Sequence, residues 1–157
     1  MYMKNLVLLI SIFTILTISL SGFKQDNVRM RWSAFVVHED ITGDADIHFT
    51  GEIPTGWRIY SSDMGESTGP LSTSIEFDPS PSFDIVGPPI ESGKSVSFFD
   101  NSLGMRVKCL TGKVSYIQHI KCKTKTFAIK CVISYMLSRD DEMLPPDEED
   151  FTISVDQ

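Results

Sequence analysis

One stretch decides the fold class: Asp44-Ala45-Asp46-Ile47-His48-Phe49-Thr50-Gly51-Glu52-Ile53. Its apolar residues recur at every second position, which is typical of a β-strand with one face in a core and the other in water. The preceding segment, Arg31–His38, is rich in β-branched and aromatic residues. Because Thr42-Gly43-Asp44 has the composition of a tight turn, we expect the two segments to form a hairpin.

The rest of the chain continues this pattern of strands and turns. Pro54-Thr55-Gly56 predicts a turn that leads into Trp57–Tyr60, and a short strand is expected at Ile75–Phe77. Prolines then interrupt the sequence at positions 79, 81, 88 and 89. Four further strands are predicted at Leu103–Cys109, Lys113–Cys122, Phe127–Tyr135 and Phe151–Val155, with Lys123–Thr126 as a hairpin connection. Since no helical period is present beyond the N-terminus, the sequence predicts an all-β sandwich of immunoglobulin-like build.

The N-terminus has the features of a secretory signal peptide. Lys4 precedes an apolar run, Leu6–Leu20, and small residues at Ser19 and Ser21 fit cleavage before Gly22. The run is shorter than the ~20 residues that span a bilayer as a helix, so export with cleavage is favoured over a retained anchor. We therefore expect residues 1–21 to be a signal peptide, residues 22–157 to be one domain, and the protein to be periplasmic or secreted. Contact with the membrane would occur only through an uncleaved signal segment.

The composition excludes several classes of function. The chain has 157 residues and a formal net charge of −7. Nucleic-acid binding depends on Lys and Arg side chains that neutralise phosphates, so this acidic chain is not expected to bind nucleic acid. The residue at position 23, where a lipid-bearing cysteine would stand, is Phe23, which excludes lipid attachment there. The three histidines have no spacing typical of metal ligands, and no metal or cofactor is predicted.

The chain contains three cysteines, Cys109, Cys122 and Cys131. An odd number in an exported protein leaves at least one free thiol or an intermolecular bridge. All three lie on apolar faces of predicted strands, where cysteine usually behaves as a small buried hydrophobe. A structural disulfide between two of them, or a redox-active pair, stays open as an alternative.

Several motifs of the chain resemble one known family when their order and spacing are taken together. They are Gly56-Trp57-Arg58-Ile59-Tyr60-Ser61, the run Gly69–Phe77, the strand Phe127–Met136, and Leu144-Pro145-Pro146. This combination resembles the N-terminal domain of DsbD, the periplasmic thiol:disulfide interchange protein. The resemblance implies an immunoglobulin-like domain that passes electrons from a cysteine pair to periplasmic disulfide isomerases and cytochrome c maturation proteins.

The loop that carries the cysteine pair in that family differs here. The corresponding positions are Ser138 and Met143, and neither a hydroxyl nor a thioether can exchange disulfides, because exchange requires a thiolate. We therefore expect a degenerate member of the family, with no catalytic residue, that is redox-inactive and serves protein interaction. The alternative is a protein that takes part in disulfide reduction or cytochrome c biogenesis through its other thiols or a partner.

The resemblance also predicts a docking surface. In the family a cap loop borders the redox loop, and by position it would lie within Ser61–Leu71. The residues expected to bind a partner are Tyr60, Gly69, Pro70, Leu144, Pro145 and Pro146. Prolines stiffen the loop and lower the entropy cost of presenting it. The expected partner is a thioredoxin-like or other periplasmic protein.

Overall fold

The described residues form β-strands joined by turns. The computed structural model describes residues 28–38, 43–64, 72–100, 103–140 and 142–156. Within these ranges the strands are β1 (Arg31–His38), β2 (Asp44–Glu52), β3 (Arg58–Tyr60), β4 (Ser74–Phe77), β5 (Phe83–Asp100), β6 (Met105–Cys122), β7 (Thr126–Tyr135), β8 (Leu137–Arg139), β9 (Glu142–Met143) and β10 (Asp147–Asp156). Across the same ranges, no helix is long and apolar enough to cross a bilayer.

Two antiparallel sheets pack face to face. The larger sheet has the order β1-β2-β6-β3-β8-β9, with β5 paired to the other side of β6, and the smaller has the order β10-β7-β4. Apolar side chains of β2 point into the space between the sheets, where Phe49 meets Phe77 of β4 and Phe151 of β10 edge-on at 6.2 and 5.6 Å. The buried, alternating face of β7 closes the core from the other side. The prediction of an all-β sandwich is confirmed.

Strand β5 was not predicted from the sequence. It is 18 residues long and contains Pro88 and Pro89. The prolines fall in a register shift between Val86 and Ile90, where the pairing with β6 is interrupted. Because bulges and edge strands need no ladder hydrogen bond from every residue, they tolerate prolines that would break a central strand.

Strand β6 is one continuous strand where the sequence predicted two. Its C-terminal half lies between β2 and β5, whereas its N-terminal half pairs with β3 and β5. Gly112, at the predicted break, adopts a φ of +73° without ending the strand. One strand thereby connects the core around β2 to the region around β3 and β8.

The segment Lys123–Thr126 does not connect a hairpin, so that prediction was wrong. Strands β6 and β7 belong to different sheets, and the segment crosses from one sheet to the other. The alternation of β7 predicted its buried face correctly, but alternation carries no information about which strand is its neighbour. Cys122 and Cys131 therefore lie in separate sheets.

A polar cluster ties the segment before β1 to the smaller sheet. The Arg29 guanidinium donates two hydrogen bonds to the Asp147 carboxylate, at 2.8 and 2.7 Å, and the Tyr135 hydroxyl donates another at 2.8 Å. The hydrogen bond from Arg29 lowers the pKa of Asp147. A group whose pKa is depressed by folding stabilises the folded state above its unfolded pKa, and this contribution is lost as the pH falls through the folded pKa.

The Asp147 cluster predicts a pH-dependent contribution to stability. Below the ordinary carboxyl pKa of about 4, protonation of Asp147 is expected to remove a small contribution to the free energy of unfolding, because Arg29 is half exposed and solvent screens the pair. Urea unfolding of the parent chain and of Asp147→Asn should differ at pH 7 and converge near pH 2. A difference that persists unchanged at pH 2 would show that the charge of Asp147 is not responsible.

Candidate functional site

Residues 138 and 143 face each other across a short hairpin. Strands β8 and β9 pair so that Ser138 is opposite Met143 and Arg139 is opposite Glu142. The Leu144 amide donates to the Leu137 carbonyl at 2.9 Å and closes the pairing. Directly opposed residues in antiparallel strands have Cα atoms about 4.5–5.5 Å apart. Two cysteines at these positions would lie within the range that a disulfide spans.

Arg58 supports the hairpin from the adjacent strand. It is paired with Ser138 through β3 and β8, and its Nε donates to Ser138 Oγ at 3.2 Å. Its Nη2 donates to the Asp140 carbonyl at 2.9 Å, at the turn where Asp140 adopts a φ of +49°. The guanidinium also lies over the Phe98 ring, 4.3 Å from its centroid. Ser138 is therefore held as a buried, hydrogen-bonded residue with 2% exposure.

Met143 is the exposed member of the Ser138–Met143 pair. The residue is 42% exposed, and its sulfur accepts a hydrogen bond from the Tyr60 hydroxyl at 3.3 Å. The same hydroxyl lies 3.5 Å from a carboxylate oxygen of Asp100. Burial raises the pKa of Tyr60, and the charge of Asp100 adds to this effect, so the hydroxyl keeps its proton and acts as a donor.

The opposite face of the hairpin is stabilised by a cation–π contact and an ion pair. The Arg139 guanidinium lies 4.5 Å from the ring centroid of Trp57 and pairs with Glu142 at 2.8 Å. Trp57 is itself buried, so this contact joins the hairpin to the core. The two faces thus differ, with Arg139 on one and the Ser138–Met143 pair on the other.

The six residues predicted to bind a partner occupy different environments. Pro145 and Pro146 are exposed, and Leu144 is half buried against the core. Tyr60 is fully buried, so it supports Met143 from below and does not reach the surface. Gly69 and Pro70 lie outside the described residues.

Sequence reasoning missed the carboxylate that anchors the segment after β3. The Glu91 side chain, on β5, accepts hydrogen bonds from Ser61 Oγ at 2.5 Å, Ser62 N at 2.7 Å and Ser62 Oγ at 2.8 Å. It also accepts one from Tyr116 at 3.2 Å. The prolines of β5 suggested a loop. Nothing in the sequence therefore indicated that Glu91 lies beside the start of the predicted cap loop.

The three cysteines are all unpaired. Cys109 is opposite Tyr60 in the pairing of β3 with β6, and it is fully buried. Burial raises the pKa of Cys109 to about 11 and that of Cys131 to about 12, and it also raises the pKa of the half-buried Cys122. Thiols with raised pKa values contain little thiolate at neutral pH and are poor nucleophiles.

These thiol environments predict slow labelling. With Ellman's reagent at pH 8, we expect Cys109 and Cys131 to stay unlabelled in the folded chain and Cys122 to react slowly, because burial restricts access and thiolate formation. All three should react within minutes in denaturant. Rapid labelling of Cys109 in the folded state, located by peptide mapping against Cys122→Ser, would contradict the structure.

No cluster of three or more histidine, cysteine, aspartate or glutamate side chains with metal-binding geometry occurs in the part of the chain that the structure describes. His119 instead contacts Asp46 at 2.8 Å, and His48 stacks on Phe35. The paired residues of the hairpin carry the Ser138 hydroxyl, the Met143 thioether, the Arg139 guanidinium and the Glu142 carboxylate.

Comparisons with known proteins bear on the fold. No protein-family model matches the sequence, and no curated protein matches it. Among solved structures, the reduced DsbD N-terminal domain of Neisseria meningitidis is similar, with a TM-score of 0.52 and 16% identity over 80% of this chain and 86% of that one. The N-terminal periplasmic domain of ScsB from Proteus mirabilis is similar with a TM-score of 0.51 and 18% identity, over 81% of this chain and 45% of that one.

A third structure, the complex between the DsbD and PilB N-terminal domains of Neisseria meningitidis, aligns with a TM-score of 0.49 and 15% identity over 77% of this chain and 80% of that one. With sequence identities of 16% and 18%, the first two comparisons establish the fold alone. The chain has the fold of the DsbD N-terminal domain, an immunoglobulin-like β-sandwich.

Proposed function

We propose that this chain is an exported protein-docking domain that has the scaffold of the DsbD N-terminal domain without its disulfide exchange. One observation carries the proposal: Ser138 and Met143 are opposed in a hairpin, as a cysteine pair would need to be, and neither bears a thiol. The signal-like residues 1–21 support a periplasmic or secreted location.

The chemistry of the hairpin supports the absence of exchange. A thiol:disulfide exchange needs a thiolate that attacks a sulfur–sulfur bond. The Ser138 hydroxyl is engaged by Arg58, and the Met143 thioether has no ionisable proton. Neither side chain can therefore begin or complete the exchange.

The alternative role in disulfide reduction would depend on the remaining thiols. Cys109 is the relevant one, because it lies opposite Tyr60 in the sheet that carries the hairpin. Its complete burial and raised pKa disfavour attack on a partner's disulfide. Insulin reduction by the parent chain that is lost in Cys109→Ala would favour the alternative and overturn the proposal.

The outer side of the hairpin has the properties of a docking surface. We define the hairpin surface as Met143, Leu144, Pro145 and Pro146, of which Met143 and both prolines are exposed. Methionine adapts its shape to different partners, and adjacent prolines restrict the backbone before binding. The pairing of β8 with β3 holds the hairpin on a rigid sheet. By the family resemblance, a thioredoxin-like protein is the proposed partner.

A matched pair of substitutions tests the docking surface. Met143→Glu is expected to weaken binding of a purified thioredoxin-like protein from the same periplasm by about tenfold or more, because it places a charge in the centre of the contact. Val86→Glu is the control, since Val86 has nearly the same exposure, 43%, on β5 away from the hairpin. Isothermal titration gives both affinities.

Equal losses of affinity in Met143→Glu and Val86→Glu would show that the added negative charge weakens binding wherever it is placed on the surface. No measurable affinity of the parent chain for any thioredoxin-like protein would contradict the proposed partner. Unchanged circular dichroism in both variants establishes that each retains the fold.

A further inference from the structure

Met143 differs from the other described methionines in its access to solvent. Met30 and Met64 are buried, at 5% and 8% exposure, and Met105 and Met136 are half buried. Among the described methionines, only Met143 is exposed. Since the oxidation of a thioether follows its accessibility, an oxidant in solution reaches Met143 before the other described methionines.

The surroundings of the Met143 sulfur leave one of its two lone pairs open. The Tyr60 hydroxyl donates to the other lone pair at 3.3 Å, and Tyr60 is itself fully buried. An oxygen bonded to the sulfur on the line to Tyr60 would lie well inside the shortest O–H···O hydrogen-bond distance from the Tyr60 oxygen. An oxidant therefore adds oxygen on the side of the sulfur that faces away from Tyr60.

We propose that Met143 is an oxidation site at which a peroxide forms methionine sulfoxide, with the new oxygen added to the sulfur lone pair that the Tyr60 hydroxyl does not engage. The sulfur attacks the outer oxygen of the peroxide, an S–O bond forms, and the O–O bond breaks. The sulfur loses two electrons, and the peroxide is reduced to water, or to an alcohol if an organic peroxide reacts. The product turns the centre of the hairpin surface from apolar to polar.

The hydrogen bond from Tyr60 has a stereochemical consequence. Oxidation makes the sulfur a chiral centre, and separate reductases act on its two epimers. Because the Tyr60 hydroxyl engages one lone pair of the sulfur, it favours the epimer whose oxygen points away from Tyr60. The folded chain should therefore yield unequal amounts of the two epimers at Met143.

The test is oxidation of the full chain with limiting hydrogen peroxide, followed by digestion and mass spectrometry. Met143 is expected to oxidise on the order of tenfold faster than Met30 and Met64. Treatment of the digested peptides with each epimer-specific reductase should restore Met143 unequally. The same chain oxidised in denaturant is the control, in which all methionines should react at similar rates and give similar amounts of both epimers.

Two results would overturn the proposal: a rate at Met143 no higher than at the buried methionines, or equal epimers in the folded chain. Tyr60→Phe should keep the fast rate and lose the epimer preference. As an independent readout, oxidation should make the parent chain elute earlier from a hydrophobic-interaction column, whereas Met143→Leu should shift little. An equal shift in both chains would also contradict the assignment.

Discussion

Replacing Glu91 with alanine is expected to lower the free energy of unfolding by about 2–4 kcal/mol. The Glu91 side chain is only 9% exposed and accepts hydrogen bonds from Ser61, Ser62 and Tyr116. It also lies 3.7 Å from the Lys108 ammonium. Removing the carboxylate leaves several donors without an acceptor in a poorly hydrated place, which costs more than the loss of one exposed hydrogen bond.

Asp84→Ala is the matched control for this prediction. Asp84 is an acidic residue of the same strand, but its pairing with Lys123 is at the surface, so its removal should cost no more than about 1 kcal/mol. Glu91→Gln, which keeps one carbonyl acceptor, should fall between the two. Urea unfolding measures all three. A loss in Glu91→Ala no larger than that in Asp84→Ala would mean that Glu91 does not anchor the segment after β3.

The double variant Ser138→Cys/Met143→Cys is expected to form a disulfide between the two new cysteines under mild oxidation. The positions are directly opposed, their side chains share one face of the hairpin, and their Cα separation is about 4.5–5.5 Å. Disulfides form readily within this range. Mass spectrometry of a non-reduced digest should show one bridged peptide pair and three free original thiols.

The control pairs Arg139→Cys with Met143→Cys. Arg139 lies on the opposite face of the hairpin, over Trp57, so its side chain points away from position 143. This variant should stay reduced under the same conditions. A disulfide that forms equally well in both variants would indicate a hairpin too mobile to have a fixed register. A disulfide between either new cysteine and Cys109 would contradict the direct opposition of positions 138 and 143.

The fold class could be predicted because its signal is local. In β2 and β7, apolar residues at every second position reveal a buried face without knowledge of any neighbour. Strand β5 could not be predicted, because its prolines indicate a loop unless the bulge that accommodates them is known. The crossover after β6 was missed for a similar reason, since a short polar segment fits a hairpin as well as a passage between sheets.

The candidate site was predictable in part. The family resemblance drew attention to positions 138 and 143, and the structure places them opposite each other. The surrounding groups depend on contacts between residues distant in sequence. Arg58 reaches Ser138 across 80 positions, and Asp100 approaches Tyr60 from β5. Alternation could indicate that Tyr60 belongs to a strand, but only packing shows that it lies beneath Met143.

Hydrogen-exchange mass spectrometry tests the central proposal, that the hairpin surface docks a partner and does not exchange disulfides. The parent chain would be measured alone and with a purified thioredoxin-like protein. The account predicts slower exchange in peptides that cover residues 137–144, with no mixed disulfide in the same samples. Protection confined to another surface, such as Ile85–Ile90 of β5, or a disulfide-linked complex through any of the three cysteines, would contradict it.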